Sequence, residues 1–388
     1  MQAYICQKID EMANAADAWL RGHNYRYIEC NYVPPSLFTR FRKLNVLLRT
    51  FYRLCPFNLR RRLDILSAPL TPQACVAMLK AYALESDSDK TLALLRRMTE
   101  SLRSFHESVG SDSYALRQGI RIAVNLYEDG ADEPTPLNTV WFGEYLLDSH
   151  DTLSDGDRDI VAGICRYLVG NLGYIDHGEA GVYFRYGHNI KGIIYNASAV
   201  ISSFLIRAGS ALGQQEYIDL GVRGLKYIAA CQNDDGSWFY YGPPHRRAID
   251  GFHQSYILRA FMDARPIIGI CFDDTIEKGT AYYRSQFEHK GRYIIPRRYD
   301  PRYNPRNTWC FQRVDGRDIT EALTFFSVYE PDEKMVEGIV EYMFDKIYDK
   351  KHQRLASEIF IYGRNRNDYI EFYGWYLYAL NLLKHKCS

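Results

Sequence analysis

Apolar positions recur three and four residues apart over most of this chain, the spacing of one buried helix face. The periodicity predicts helices over 4–20, 36–54, 72–84, 88–106, 138–149, 156–170, 190–209, 214–231, 249–263, 274–288, 318–328, 333–348 and 368–384. Thr71-Pro72 opens one of them with an N-cap followed by proline at the first helical position. Between 110 and 137 the pattern fails, and loop residues dominate, among them Tyr114, Arg117, Gln118 and Arg121. No alternating run reads as a buried strand, so a parallel sheet is not expected. Helices follow one another in short-linked pairs, as in αα-hairpins.

The connections repeat. Phe184-Arg185-Tyr186-Gly187, Phe239-Tyr240-Tyr241-Gly242 and Phe360-Ile361-Tyr362-Gly363 each precede a predicted helix, and Tyr293-Ile294-Ile295-Pro296 is a degenerate copy. Gly187, Gly242 and Pro296 are 55 and 54 residues apart; the 67 residues to Gly363 include an extra loop, 297–317. The unit is an aromatic extended segment, a loop and two helices. About six such hairpins fit the chain, which predicts an all-α fold closed into an α/α toroid over 1–388, with 1–110 more divergent and 111–388 the repeat-bearing core. An open α-solenoid is the alternative. Closure would bury both faces of inner helices such as Ala197-Ser198-Ala199-Val200-Ile201, and bring every Phe-x-Tyr-Gly loop to one mouth.

Composition narrows the partners. Lys+Arg is 48 and Asp+Glu is 47, so net charge makes no case for nucleic acid. The Arg-rich run 40–62 reads as a solvated helix face, with an anionic glycan or lipid head group as the sharper reading. The N-terminus lacks the pattern of a signal peptide, and no apolar run approaches the ~20 residues that span a bilayer. Nine scattered cysteines without metal spacing point to reduced thiols and a cytoplasmic, reducing compartment. Thirty-two tyrosines suit a sugar-binding cleft, or packing between helices.

The stretch from Cys231 to Phe261 is the best-formed copy of the repeat. Asn233-Asp234-Asp235-Gly236 is a turn, Trp238 to Tyr241 favour extension, and a helix starts near Ile249 with Asp250 and His253 three apart in its first turn. Gln232-Asn233-Asp234-Asp235-Gly236-Ser237-Trp238 followed by Ile249-Asp250-Gly251-Phe252-His253-Gln254-Ser255-Tyr256 resembles the "QNxDGSW…IDxFHTGY" signature of VpsJ-type bacterial exopolysaccharide biosynthesis proteins. Asn138-Thr139 with Leu146-Leu147-Asp148, Tyr195-Asn196-Ala197 and Trp375 to Leu380 resemble further motifs of that family, over roughly 110–385. Tyr195 stands where the family has His. The resemblance implies an α/α toroid, shared with polysaccharide lyases, uronyl C5-epimerases, inverting glycosidases and terpenoid cyclases, and a polysaccharide context without a fixed reaction.

Candidate chemistry centres on Asp250 and His253. A carboxylate that orients an imidazole makes a general base near neutral pH; the structural alternative is an N-cap and a core histidine. Tyr240 or Tyr241 beside Arg246 or Arg247 would serve β-elimination or C5 epimerisation of a uronate, whose carboxylate a cation must neutralise; aromatic packing is the alternative. Trp238, His188, Asn189, Asn196, Arg117, Arg364 and Arg366 are candidate ligand contacts, or caps and packing. Asp318 and Glu321 with Asp250 would supply the paired acids of an inverting glycosidase, or merely complement the helix dipole. Phe272-Asp273-Asp274-Thr275-Ile276-Glu277 superficially matches the acidic metal box of a terpenoid cyclase, with no partner motif, and no nucleotide-binding glycine loop occurs. No cofactor or metal is expected. The expected function is lyase- or epimerase-like action on an anionic glycan. Glycoside hydrolysis, terpenoid-cyclase chemistry and non-catalytic glycan binding are the alternatives.

Overall fold

The computed structural model describes residues 1–27, 44, 47, 71–85, 89–104, 106–107, 112–119, 122–123, 128–129, 132–149, 152–187, 192–243, 248–303, 313–360, 363–365 and 368–387. The predicted helix 36–54 and the Arg-rich run 40–62 lie outside the described residues. Twelve α-helices are described: α1 (Ala3–Gly22), α2 (Pro72–Ala83), α3 (Asp89–Ser104), α4 (Pro136–Asp148), α5 (Asp155–Arg166), α6 (Tyr195–Leu212), α7 (Gln215–Ala230), α8 (Gly251–Ile268), α9 (Asp273–Ser285), α10 (Gly316–Thr324), α11 (Glu333–Tyr342) and α12 (Ile370–Lys384). Each matches a predicted helix, with ends displaced by a few residues. The predicted reach of three of them is completed by π-helical turns, Tyr167–Leu172, Phe325–Tyr329 and Met343–Ile347.

The fold is the expected α/α toroid. The even-numbered helices form the inner ring: α2 packs on α4, α4 on α6, α6 on α8, α8 on α10, α10 on α12, and α12 returns to α2. Inner helices are buried nearly all round because both faces are covered; α6 buries residues on every side from Tyr195 to Gly209. Outer helices keep one buried stripe, as in α7 with Tyr217, Gly221, Leu225 and Ile228. The sixth hairpin joins the chain's two ends, since α1 packs against α12.

A disulfide between Cys6 and Cys387, with Cα atoms 5.7 Å apart, pins that closure. This corrects the expectation of reduced thiols throughout: folding, not sequence spacing, brings residues 381 apart into bonding distance. Cys165 and Cys271 are free thiols. Cys387→Ser should lower unfolding stability by about 2–4 kcal/mol, because a cross-link over so long a loop restricts the unfolded chain. Denaturant titration with and without dithiothreitol checks this: the reductant should weaken the parent and leave the variant unchanged.

Every inner helix begins at the same face of the ring, because each outer helix returns the chain to it. The segments ahead of successive inner helices are sewn together there. Ile194 bridges Tyr241, Asp250 bridges Tyr299, and strand 313–315 pairs antiparallel with 358–360. Short antiparallel hairpins, 174–176 with 182–184 and 287–290 with 293–296, complete the connections. The repeated aromatic segments are thus short strands in three copies, and in the 239–241 copy a single bridge.

Candidate active site

The rim of the mouth is built from the turn before α8. Gly236 has φ +87°, and a Cβ there would collide with the Lys278 carbonyl, so glycine alone fits. Asp235 accepts hydrogen bonds from the Ser237 backbone N–H (3.1 Å) and hydroxyl (2.6 Å), closing the turn. Trp238 then drops into the core. Its ring N–H donates to the Ile228 carbonyl (2.9 Å), and the Gln254 amide grips its backbone N–H and C=O (2.9 and 2.8 Å). That grip ties the extended segment to α8 and lays Tyr240 over His253, ring centroids 4.3 Å apart, with Tyr241 against Tyr240.

Asp250 is the N-cap of α8, accepting from the His253 N–H at 3.2 Å. The same carboxylate faces His253 Nδ1, at 2.7 Å from each oxygen. An ionised carboxylate only accepts, so Nδ1 carries the proton and Nε2 keeps its lone pair. Burial would raise the Asp250 pKa, but His253 and then Arg298 override it and hold it at about 2. Burial lowers the His253 pKa below its ordinary 6.5, against the pull of Asp250, so the imidazole is neutral at neutral pH. The His253 side chain is 15% exposed; the histidine is reachable, whereas its orienting partner is covered.

Arg298 lies behind the pair. Its Nη1 is 3.8 Å from Asp250 Oδ1 and 3.4 Å from Asp318 Oδ1, and its guanidinium stacks on Phe252 at 4.1 Å. Asp318 Oδ1 also accepts from the Phe252 N–H (3.0 Å), while Asp318 Oδ2 is buried without a partner. Gly251 makes room for this contact: a Cβ there would lie 2.8 Å from the Arg297 carbonyl and 3.1 Å from Asp318 Oδ1. Burial pushes the Asp318 pKa up to about 7; Asp315 and Asp250 add to this and Arg298 opposes it. Asp315, with the Arg317 guanidinium forked across it at 2.9 and 2.7 Å, stays well below the usual range although burial acts the other way. Arg313 bridges Glu358 (2.9 Å) and Asp315 (3.5 Å).

These groups give a stability test. Folded Asp318 keeps its proton to about pH 7, unfolded Asp318 only to its ordinary 3.8. This contribution is fully present below pH 3.8 and is lost as the pH rises to about 7. Asp318→Asn cannot ionise, so its stability relative to the parent should climb across that window in urea titrations. Parallel curves would show that Asp318 titrates normally.

Below the rim the axis closes. A layer one to two turns down the inner helices narrows it to a cavity of about 20 Å³, room for one water, between Trp141, Tyr256, Trp375 and Tyr378. Lys80–Glu144 (3.0 Å) and Arg259–Glu321 (2.7 Å) are the ion pairs of this floor. A larger hollow of about 840 Å³ lies on the outer wall between the end of α5 and α7. Its two arginines are paired locally, Arg166 with Asp112 and Arg223 with Asp176, and among the described residues it holds no carboxylate-oriented histidine like that at the mouth.

The sequence-predicted residues divide. Asp250, His253, Tyr240 and Tyr241 come together, with Asp318 beside them. Asn196 is in the first turn of α6, 3% exposed, on the face that carries Val200 and Ser203 into the axial cavity. Trp238 is corrected from ligand contact to core: it is fully buried, because its ring bonds the α7 carbonyl beneath the rim. Glu321 is corrected as a partner of Asp250: it pairs with Arg259 in the floor, one turn too deep. Arg364 is exposed and donates to the Lys346 and Asp345 carbonyls, and Arg117 pairs with Asp132. Asp273 of the acidic box pairs with Arg265 at the start of outer helix α9. His188, Asn189, Arg246, Arg247 and Arg366 lie outside the described residues. Sequence reasoning missed Arg298, Arg313, Asp315 and Arg317. The signal was the charged residues at both ends of the extra loop 297–317, which flank the next inner helix.

Solved structures share the fold. A glycoside hydrolase family 76 mannosidase from Bacteroides thetaiotaomicron VPI-5482 is similar over 97% of this chain and 100% of its own, at 14% identity and a TM-score of 0.64. A cellobiose 2-epimerase from Bacillus thermoamylovorans B4167 is similar over 80% and 87%, at 9% identity and 0.61. A polysaccharide lyase is similar over 99% and 98%, at 8% identity and 0.59. No protein-family model matches the chain, and no curated protein matches it in sequence.

Proposed function

We propose that this chain is a carbohydrate-active enzyme of lyase or epimerase type, with His253 as its base. The observation that carries the proposal is a neutral, partly exposed imidazole, held by a buried ionised Asp250 at the start of inner helix α8. Nε2 takes a proton from a sugar carbon next to a carbonyl or carboxylate group. In epimerisation a phenol returns a proton to the opposite face. In elimination the C–O bond to the leaving sugar breaks and a C=C bond forms. Tyr240 and Tyr241 suit the donor role: burial raises both phenols, Tyr241 to about 12, so they remain protonated. The same toroid carries a mannosidase, an epimerase and a lyase among the similar structures, which supports a glycan as ligand. The uronate expected from the sequence has less support. Arg364 is turned to backbone carbonyls, and Arg246 lies outside the described residues.

One observation favours hydrolysis as a second reading. Asp250 is held near 2 and Asp318 near 7 around one guanidinium, the split that an acid and a carboxylate base require. Incubation with oligosaccharides in deuterated water separates the readings. Deuterium on a sugar carbon marks epimerisation, and ultraviolet absorbance marks elimination. New reducing ends without either mark hydrolysis, and the absence of all three marks a binding protein.

A further inference from the structure

Among the described residues, the arginines packed around Asp250 and Asp318 are matched by acids. Arg298 faces Asp250 and Asp318, Arg317 is forked across Asp315, and Arg313 bridges Asp315 and Glu358. Three guanidiniums thus meet four carboxyl groups. With Asp318 protonated the charges of this set balance, and with Asp318 ionised the set is negative. In neither state do these groups make a positive field for a carboxylate.

Two buried oxygens at the same level point the same way. Asn196 Oδ1 and Asp318 Oδ2 have no partner, on residues 3% and 1% exposed. Each residue stands on its helix three or four positions before a residue that lines the axial cavity, Val200 after Asn196 and Glu321 after Asp318. His253 stands likewise three before Tyr256. A buried polar atom without a partner is costly, and Arg298 Nε is a third such atom here, a donor. A sugar hydroxyl both donates and accepts, so it can meet the Asn196 oxygen, Arg298 Nε and Asp318 with or without its proton; a carboxylate only accepts and cannot meet the Asn196 oxygen.

We infer that the sugar ring seated against His253 is an uncharged pyranose, whose hydroxyls meet Asn196 and Asp318. This rests on the reading of the mouth as a carbohydrate site and names the class of sugar it takes. The proton that His253 removes then lies on C2 of the open-chain form, in which the C1–O5 bond has broken, O5 has gained a proton and O1 has lost one to leave the C1 carbonyl, and not beside a uronate carboxylate.

The test is binding of the full chain to an array of immobilised neutral and uronate-bearing glycans, at low and at high salt. Neutral glycans should be retained selectively, with little change in salt. Asn196→Leu and Asp318→Asn, each checked for folding by circular dichroism, should weaken that retention by about 3- to 10-fold, the worth of one hydrogen bond. Selective, salt-sensitive retention of uronate glycans would overturn the inference and leave the carbohydrate reading standing. Retention of neutral glycans untouched by both variants would place binding elsewhere and also overturn it. No retention of either class would remove the carbohydrate reading and the inference with it.

Discussion

His253→Ala should lower turnover by about 10²- to 10⁴-fold, the usual contribution of a positioned general base. The fold should survive, because the histidine side chain contributes no capping bond; only its backbone N–H does. Asp250→Asn should cost nearly as much activity. Asparagine still caps α8, since Asn and Asp are equivalent N-caps, but it removes the negative charge that steadies the protonated ring. Asp250→Ala loses the cap as well and should destabilise by about 1 kcal/mol. Turnover measured beside urea stability tells the roles apart. If both Asp250→Asn and His253→Ala keep full activity, the pair is a cap and a packed histidine and nothing more.

Trp238→Ala is expected to have the largest effect on stability, about 3–5 kcal/mol. The indole is fully buried, stacks against Phe261 with centroids 6.2 Å apart, and donates to Ile228. Its loss leaves a large cavity and an unmet carbonyl. The rim segment above it, gripped through Gln254, should loosen, so hydrogen exchange at Tyr240 and Tyr241 should rise. A stable variant whose only defect is weaker glycan binding would return Trp238 to the mouth and contradict its burial.

The inner and outer helices were legible because their burial is local in origin. An outer helix carries one apolar stripe and an inner helix such as α6 carries small and apolar residues all round, and both patterns survive in the linear text. The dyad was legible for the same reason: Asp250 and His253 share one helical turn, so their contact follows from spacing. Trp238 was misplaced because an aromatic residue beside a turn looks alike whether it faces a ligand or the core. Only the Ile228 carbonyl waiting beneath decides between them.

What the chain by itself determined is the repeating hairpin, the toroid it closes into, and an Asp–His contact at the start of one inner helix. What the tertiary structure alone decided is everything that depends on two helices meeting. Ring closure brought Cys6 to Cys387. The loop after the 293–296 strand brought Arg298 between Asp250 and Asp318, and so set one carboxyl near 2 and the other near 7. Helical periodicity is a property of neighbours in sequence, whereas a pKa depends on burial and on charges within a few ångströms in space. Those charges come from segments 48 and 68 residues apart, whose meeting no local pattern encodes.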